Sequence, residues 1–183
     1  DGDPHGASGT ATGVKGEDLS ADLDLGATYT NVPGGTADWT FTDSTGNYND
    51  DSGSASIVIS KADPDTSSIV GYSGTYDGNA HGASGSAIGV KGEILSGLDL
   101  GATYTDVPGG TANWTFTDVT GNYNDDSGSV AITITKADAS FSITDYSGVY
   151  DGVAHQVSGT ATGVKGEDLS ADLDMGASYT DVP

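Results

Sequence analysis

The chain repeats itself, and the length of the repeat limits what it can fold into. DGDPHGASG begins at Asp1, DGNAHGASG at Asp77 and DGVAHQVSG at Asp151, so the motif recurs after 76 and then 74 residues. A period near 75 residues is too long for one turn of a solenoid and suits a small domain with a core of its own. The spacings differ because of two single-residue deletions. One turns SADLDLG (Ser20 to Gly26) into SGLDLG (Ser96 to Gly101), and the other lies between the KAD triplet and YSG. Such deletions are tolerated in loops and at strand ends, so both places are expected outside the regular strands.

Within the repeat, the stretch from Ala112 to Asp138 returns almost unchanged from Ala37 to Asp63. Trp114 and Phe116 alternate with Asn113, Thr115 and Thr117, and Val130, Ile132 and Ile134 alternate with Ala131, Thr133 and Thr135. A period of two is the mark of a half-buried strand. Between the runs lies GNYNDDSGS, identical at Gly46 to Ser54 and Gly121 to Ser129, whose Asn, Asp, Gly and Ser residues favour turns. The expectation is a hairpin closed by an acidic loop. Upstream, Val107-Pro108-Gly109-Gly110 predicts a type II turn, with Pro at the second position and Gly accepting positive φ at the third.

The remaining segments are shorter. ASFSITDYSGVY reads as a first strand or pair of strands ending at Tyr150-Asp151-Gly152, and HGASGSAIGVKGE (His81 to Glu93) as a Gly-rich edge strand or a strand packed closely on another backbone. EDLSADLDLG (Glu17 to Gly26) predicts one short helical turn. The sum is all-β, with roughly six or seven short strands per copy, as in a small sandwich.

Composition removes whole classes of function. Among 183 residues there are 5 Lys, no Arg and 27 acidic side chains, a formal net charge of −22. Nothing here can neutralise a run of phosphates, so nucleic acid is excluded as a partner, and an anionic membrane surface repels the chain. No apolar run reaches the length of a membrane helix, and no charged-then-apolar leader opens the sequence. With no Cys, a disulfide framework is excluded. The 29 Gly and the acidity point toward disorder, but apolar residues held in a period-two register argue for folded strands.

Boundaries fall most naturally at KAD. Residues 62–136 then form one complete repeat, 1–61 lack its opening strand, and 137–183 stop before its Trp hairpin. The chain is therefore expected to be a window on a longer array. Its connectors contain no Pro/Gly/Ser tract, so neighbouring repeats are expected to be stiffly coupled.

The ordered motifs YSGTYDGNAHGASG (Tyr72 to Gly85), GVKGE, LDLGATYT, VPGGTANWTFTD, GNYND and ITITKAD span the chain. This series resembles the MBG or YDG-type repeats of large bacterial surface proteins, which are adhesin-like or filamentous-haemagglutinin-like. The resemblance implies a non-enzymatic extracellular module in a long array. It implies tandem small β-sandwich domains of Ig-like form, with a β-grasp-like arrangement as the competitor. The third copy departs from the pattern at Gln156-Val157.

Candidate sites follow from residue type and spacing. Calcium takes six to eight hard oxygens, and Asp118, Asn122, Asn124, Asp125 and Asp126 offer several in a tight loop, with Asp43, Asn47, Asn49, Asp50 and Asp51 as the twin. The spacing is not that of an EF-hand, and the plainer reading is that these residues make turns and keep the loop solvated. A weaker calcium site can be drawn from Asp63, Asp65 or Asp138 at the repeat boundaries. Tyr48 and Tyr123 within the loops can stack on a sugar face or else cap their own core, while Trp39 and Trp114, in register with Phe41 and Phe116, are expected to fill it.

His5, His81 and His155 each follow the Asp of the DG turn by four residues and are expected to pack at that turn, hydrogen-bonded to backbone. Lys15, Lys91 and Lys165 precede Glu17, Glu93 and Glu167 by two. An acid-assisted amide cross-link needs such groups buried, and a KGE turn between glycines is expected to be exposed.

No nucleophile, acid pair or cofactor loop converges in these motifs, so the expected role is non-enzymatic. It is a stalk or spacer on a bacterial surface, with calcium as a stiffening ion. Two alternatives are a module that binds polysaccharide or a cell-surface ligand, and a filament subunit. In the filament, head-to-tail self-association completes the partial end repeats by strand addition.

Overall fold

Alternating apolar and polar residues form hairpins where the sequence places them. The computed structural model describes residues 1–180. In the first copy β1 (Leu23–Asp24), β2 (Gly34–Phe41) and β3 (Asp51–Val58) make an antiparallel sheet in the order β1-β2-β3. The hairpin register pairs Gly34 with Val58 and Phe41 with Asp51, leaving the acidic loop between the strands. In the second copy β4 (Tyr72–Thr75), β5 (Leu98–Asp99), β6 (Gly109–Phe116) and β7 (Asp126–Thr135) form a mixed sheet in the order β4-β7-β6-β5. Here β4 runs parallel to β7, with Tyr72 opposite Ile132 and Thr75 opposite Thr135. The third copy holds β8 (Ser140–Thr144) and β9 (Ser158–Thr162), an antiparallel pair. The described residues are thus all-β with several sheets, an organisation compatible with a β-sandwich.

The chain divides into two compact units. Among the described residues one comprises 1–69, 85–99 and 114–128, and the other 70–84, 100–113 and 129–180. The first unit carries a buried cluster of Ala87, Leu95, Phe116 and Tyr123, with Ala62 and Leu98 packed against it. In the second unit Ile132 and Ile134 are each 1% exposed on β7, beside the parallel strand β4. Inward residues of β6 and β7 alternate with outward Thr and Ser, as a half-buried strand requires.

Three local expectations need correction. The Gly109 amide donates to the Asp106 carbonyl at 2.8 Å, and the Val107–Pro108 peptide is cis. The turn therefore starts one residue earlier than a type II turn with Pro at its second position, and Asn31-Val32-Pro33-Gly34 repeats it. The HGASGSAIGVKGE segment forms no regular strand in the second copy, only isolated bridges from His81 to Tyr104, from Ser84 to Val70 and from Ile88 to Asp65 and Ile94. The segment runs antiparallel to residues 65–70 and packs closely on that backbone, where a Cβ on Gly85 would fall 2.6 Å from the Ile69 Cα. Finally, the second copy contains four regular strands where six or seven were expected, because bridges replace the rest.

The short helical turn is present as a 3-10 turn at Ser20–Asp22 and again at Ser170–Asp172. In the second copy the shortened SGLDLG lacks it. That deletion therefore falls at a turn between strands.

Candidate functional site

The acidic loop is built around one carboxylate. Asp118 Oδ1 accepts the Thr120 amide and hydroxyl at 2.9 and 2.8 Å, and Oδ2 accepts the Tyr123 amide at 3.0 Å. Asp125 Oδ1 accepts the Asp118 amide. Asp126 accepts the Ser127 amide and the Thr66 hydroxyl. Burial raises the Asp118 pKa, but the amides of Tyr123, Thr120 and Gly121 and the Thr120 hydroxyl outweigh it and hold the carboxyl down at about 2.

The first copy repeats the scheme. Asp43 accepts the amides of Tyr48 and Thr45, with the Tyr48 amide the leading cause of a carboxyl lowered to about 2. Asp50 accepts the Asp43 amide, Asp51 the Ser52 amide, and Asn49 is exposed. The oxygens picked out as calcium ligands thus largely accept hydrogen bonds from their own loop. Among the described residues no three His, Asp or Glu side chains gather as a metal site. At the boundaries, Asp63 accepts the Asn124 side-chain amide, Asp65 accepts the Ser67 amide, and Asp138 is exposed.

The loop tyrosines point inward. Tyr123 is 5% exposed and belongs to the buried cluster with Phe116. Its hydroxyl donates to Glu93 Oε1 and accepts the Val90 amide at 3.1 Å. Burial, then the Glu93 carboxylate, raises its pKa, and the same hydroxyl lowers that of Glu93. The ring is enclosed and caps the core of its own copy, the second of the two readings drawn for it. Tyr48 is half-buried and makes the same contacts to Glu17 and Val14. The aromatic ring pins the Lys-Gly-Glu turn of its own copy onto the hairpin.

The histidines also differ from expectation. His81 Nε2 meets the Asp77 carboxylate at 2.9 Å, and the ring stacks on Tyr72 with centroids 3.8 Å apart and planes 7° from parallel. His155 repeats this with Asp151 and Tyr146, and His5 pairs with Asp1. The partner of the imidazole is thus a carboxylate and a ring, not backbone. Backbone pairing is made by the residue's own amide and carbonyl, as between His81 and Tyr104. The Asn79 amide, then His81, then the Asn79 side chain hold the Asp77 carboxyl well below its ordinary range.

The arrangement with consequences between copies centres on Asn122. Its side-chain carbonyl accepts the Val32 amide at 2.9 Å, and its side-chain amide donates to Asn31 Oδ1 at 3.1 Å. Its backbone carbonyl accepts the Ala62 amide at 3.0 Å, and the Asn124 amide returns a bond to the Ala62 carbonyl at 2.8 Å. One asparagine of the second copy therefore clasps a turn of the first and also receives the chain where it crosses over. Just before the crossing, the Ile59 amide donates to Pro33 within the first copy. Only Ser60 and Lys61 lie between those two backbone bonds.

Lys91 reaches across the same junction to Asp3 at 2.9 Å, with side chains 53% and 69% exposed. This is a solvated ion pair, not the buried setting that an amide cross-link needs. No protein-family model, curated protein or solved structure matches the chain.

Proposed function

We propose that this chain is a segment of an MBG/YDG-type repeat array in an extracellular bacterial surface protein, a non-enzymatic stalk or spacer made of small β-sandwich-like domains. The observation that carries the reading is the Asn122 clasp. A linker that permits free hinging is several residues of solvated backbone. Here two residues separate the last backbone bond of one copy from the first bond of the next, and a side chain ties the preceding turn to the following loop. Such a junction transmits orientation from copy to copy, as a spacer must. The acidic surface, with net charge −22, suits a solvated projection that avoids anionic surfaces.

The burial of Tyr123 weighs against the rival reading of a sugar-binding loop. Solution scattering of the full chain, together with binding assays against polysaccharides, tests the proposal. An elongated particle without saturable binding is expected. A particle near the dimensions of a 183-residue sphere would contradict the spacer role, and saturable binding lost on Tyr123→Ala would move the function to the loop.

A further inference from the structure

The Asp-Gly dipeptide of the YDG motif is a weak point in any chain. The glycine amide nitrogen can attack the aspartate Cγ: an N–C bond forms, a C–O bond breaks, and water leaves behind a five-membered succinimide. A second water then opens the ring at either carbonyl. Opening at the former main-chain carbonyl gives isoaspartate, whose backbone runs through Cβ and Cγ and is one atom longer. Glycine has no side chain to hinder the closure. The dipeptide stands inside the second and third copies at Asp77-Gly78 and Asp151-Gly152.

Closure has a requirement that this structure opposes. The departing oxygen leaves as water, so the carboxyl has to take up a proton and give up the bonds it accepts. Asp77 Oδ1 accepts the Asn79 amide at 2.8 Å and faces His81 Nε2 at 2.9 Å, while Oδ2 accepts the Asn79 side-chain amide at 3.0 Å. A ring nitrogen that faces a carboxylate donates its N–H to it. Each of these donors favours the ionised carboxyl, a poor target for an amide nitrogen. The imidazole is itself fixed from two sides. Its ring stacks on Tyr72 at 3.8 Å, and the His81 amide and carbonyl are both paired with Tyr104 at 2.8 Å. In the third copy Asp151 accepts the Val153 amide at 2.9 Å, and His155 Nε2 lies 2.9 and 3.0 Å from its two oxygens. Tyr146 stacks on that ring, and Tyr179 pairs with the His155 backbone. We infer that His81 and His155 guard the two Asp-Gly turns: each occupies the carboxylate of its aspartate and so slows conversion to isoaspartate at Asp77 and Asp151. The histidine of the repeat thereby has a task other than metal binding or acid–base chemistry.

The test ages the full chain at neutral pH, digests it, and measures isoaspartate separately at Asp77 and Asp151 by fragmentation mass spectrometry, which distinguishes the two linkages. His81→Ala is expected to raise the rate at Asp77 roughly tenfold, the scale of one hydrogen bond to a charged group, and to leave Asp151 unchanged. His81→Gln keeps a donor at the reach of Nε2 and is expected to restore most of the protection. Asn79→Val installs the residue that the third copy carries as Val153, so the turn is retained, and is expected to raise the Asp77 rate by a smaller factor. An Asp77 rate unmoved by either His81→Ala or Asn79→Val would overturn the guard. A rise of equal size at Asp151 in both variants would do the same, since general loosening would then explain it, as would His81→Gln ageing as fast as His81→Ala. None of these results touches the spacer reading, which rests on the Asn122 clasp and is decided by scattering.

Discussion

Two loops in this protein have the same nine residues and different neighbours. GNYNDDSGS at 46–54 and at 121–129 folds around the same aspartate, Asp43 or Asp118, with the same Tyr-to-Glu contact. Yet Asn122 spends its side chain on Asn31 and Val32 of the preceding copy, while Asn47 turns back to Thr45 of its own loop. Burial differs as well. Phe116 is 1% exposed and Tyr123 5%, whereas Phe41 and Tyr48 are only half-buried, and Val58 on the free edge of β3 is 82% exposed. In the second copy the 62–76 segment bonds Ala62 to the loop and lays β4 along β7, whereas among the described residues β3 is paired with β2 alone. Sequence sets the shape of the loop, and the groups packed against it set what its side chains bond to.

Paired substitutions break or sharpen this contrast. Phe116→Ala removes a fully buried ring and is expected to cost about 3–5 kcal/mol in denaturant unfolding, against less than half of that for Phe41→Ala. Equal losses would mean that the two hairpins are packed alike. Tyr123→Phe removes the hydroxyl that joins Glu93 and the Val90 amide in a part-buried site and is expected to cost about 1 kcal/mol, with a smaller effect for Tyr48→Phe. Asn122→Ala is expected to cost roughly 0.5–1 kcal/mol and to shift the amide resonances of Asn31 and Val32, while Asn47→Ala leaves them in place. Shifts confined to the mutated loop would remove the clasp.

Acid should act on both loops alike. Asp43 and Asp118 have carboxyls lowered from 3.8 to about 2, so their contribution is fully present above pH 3.8 and is lost as pH falls through about 2. Fluorescence of Trp39 and Trp114 during acid titration is expected to stay flat down to roughly pH 4 and to change below it. A transition centred above pH 5 would show that other groups govern acid stability.

Much of the hairpin was legible beforehand, because the period of two in Trp114, Phe116, Ile132 and Ile134 depends only on which face is buried. The 3-10 turn at Ser20–Asp22 was legible for a similar local reason. The roles of the loop residues were not. Asn122 and Tyr123 have the residue types of a calcium or sugar site, and nothing local separates an asparagine that binds an ion from one that accepts an amide 90 residues away. The identity of the two loops hid the difference, since Asn47 and Asn122 stand in identical strings. The turn at Pro108 was misplaced because Pro-Gly permits more than one turn register, and the Asp106 carbonyl decides between them. The ring partners of His81 and His155 are not visible locally, because the Tyr stacked on each of these two lies nine residues upstream.

Amide hydrogen exchange at the junction tests the central claim most directly. The Ala62 and Asn124 amides close the crossing between the first two copies, bonded at 3.0 and 2.8 Å. If the copies are joined without a hinge, both amides exchange as slowly as those of Ile132 and Ile134 in β7. Exchange at the rate of open backbone, with the strands on either side still protected, would show a free linker and would contradict the account.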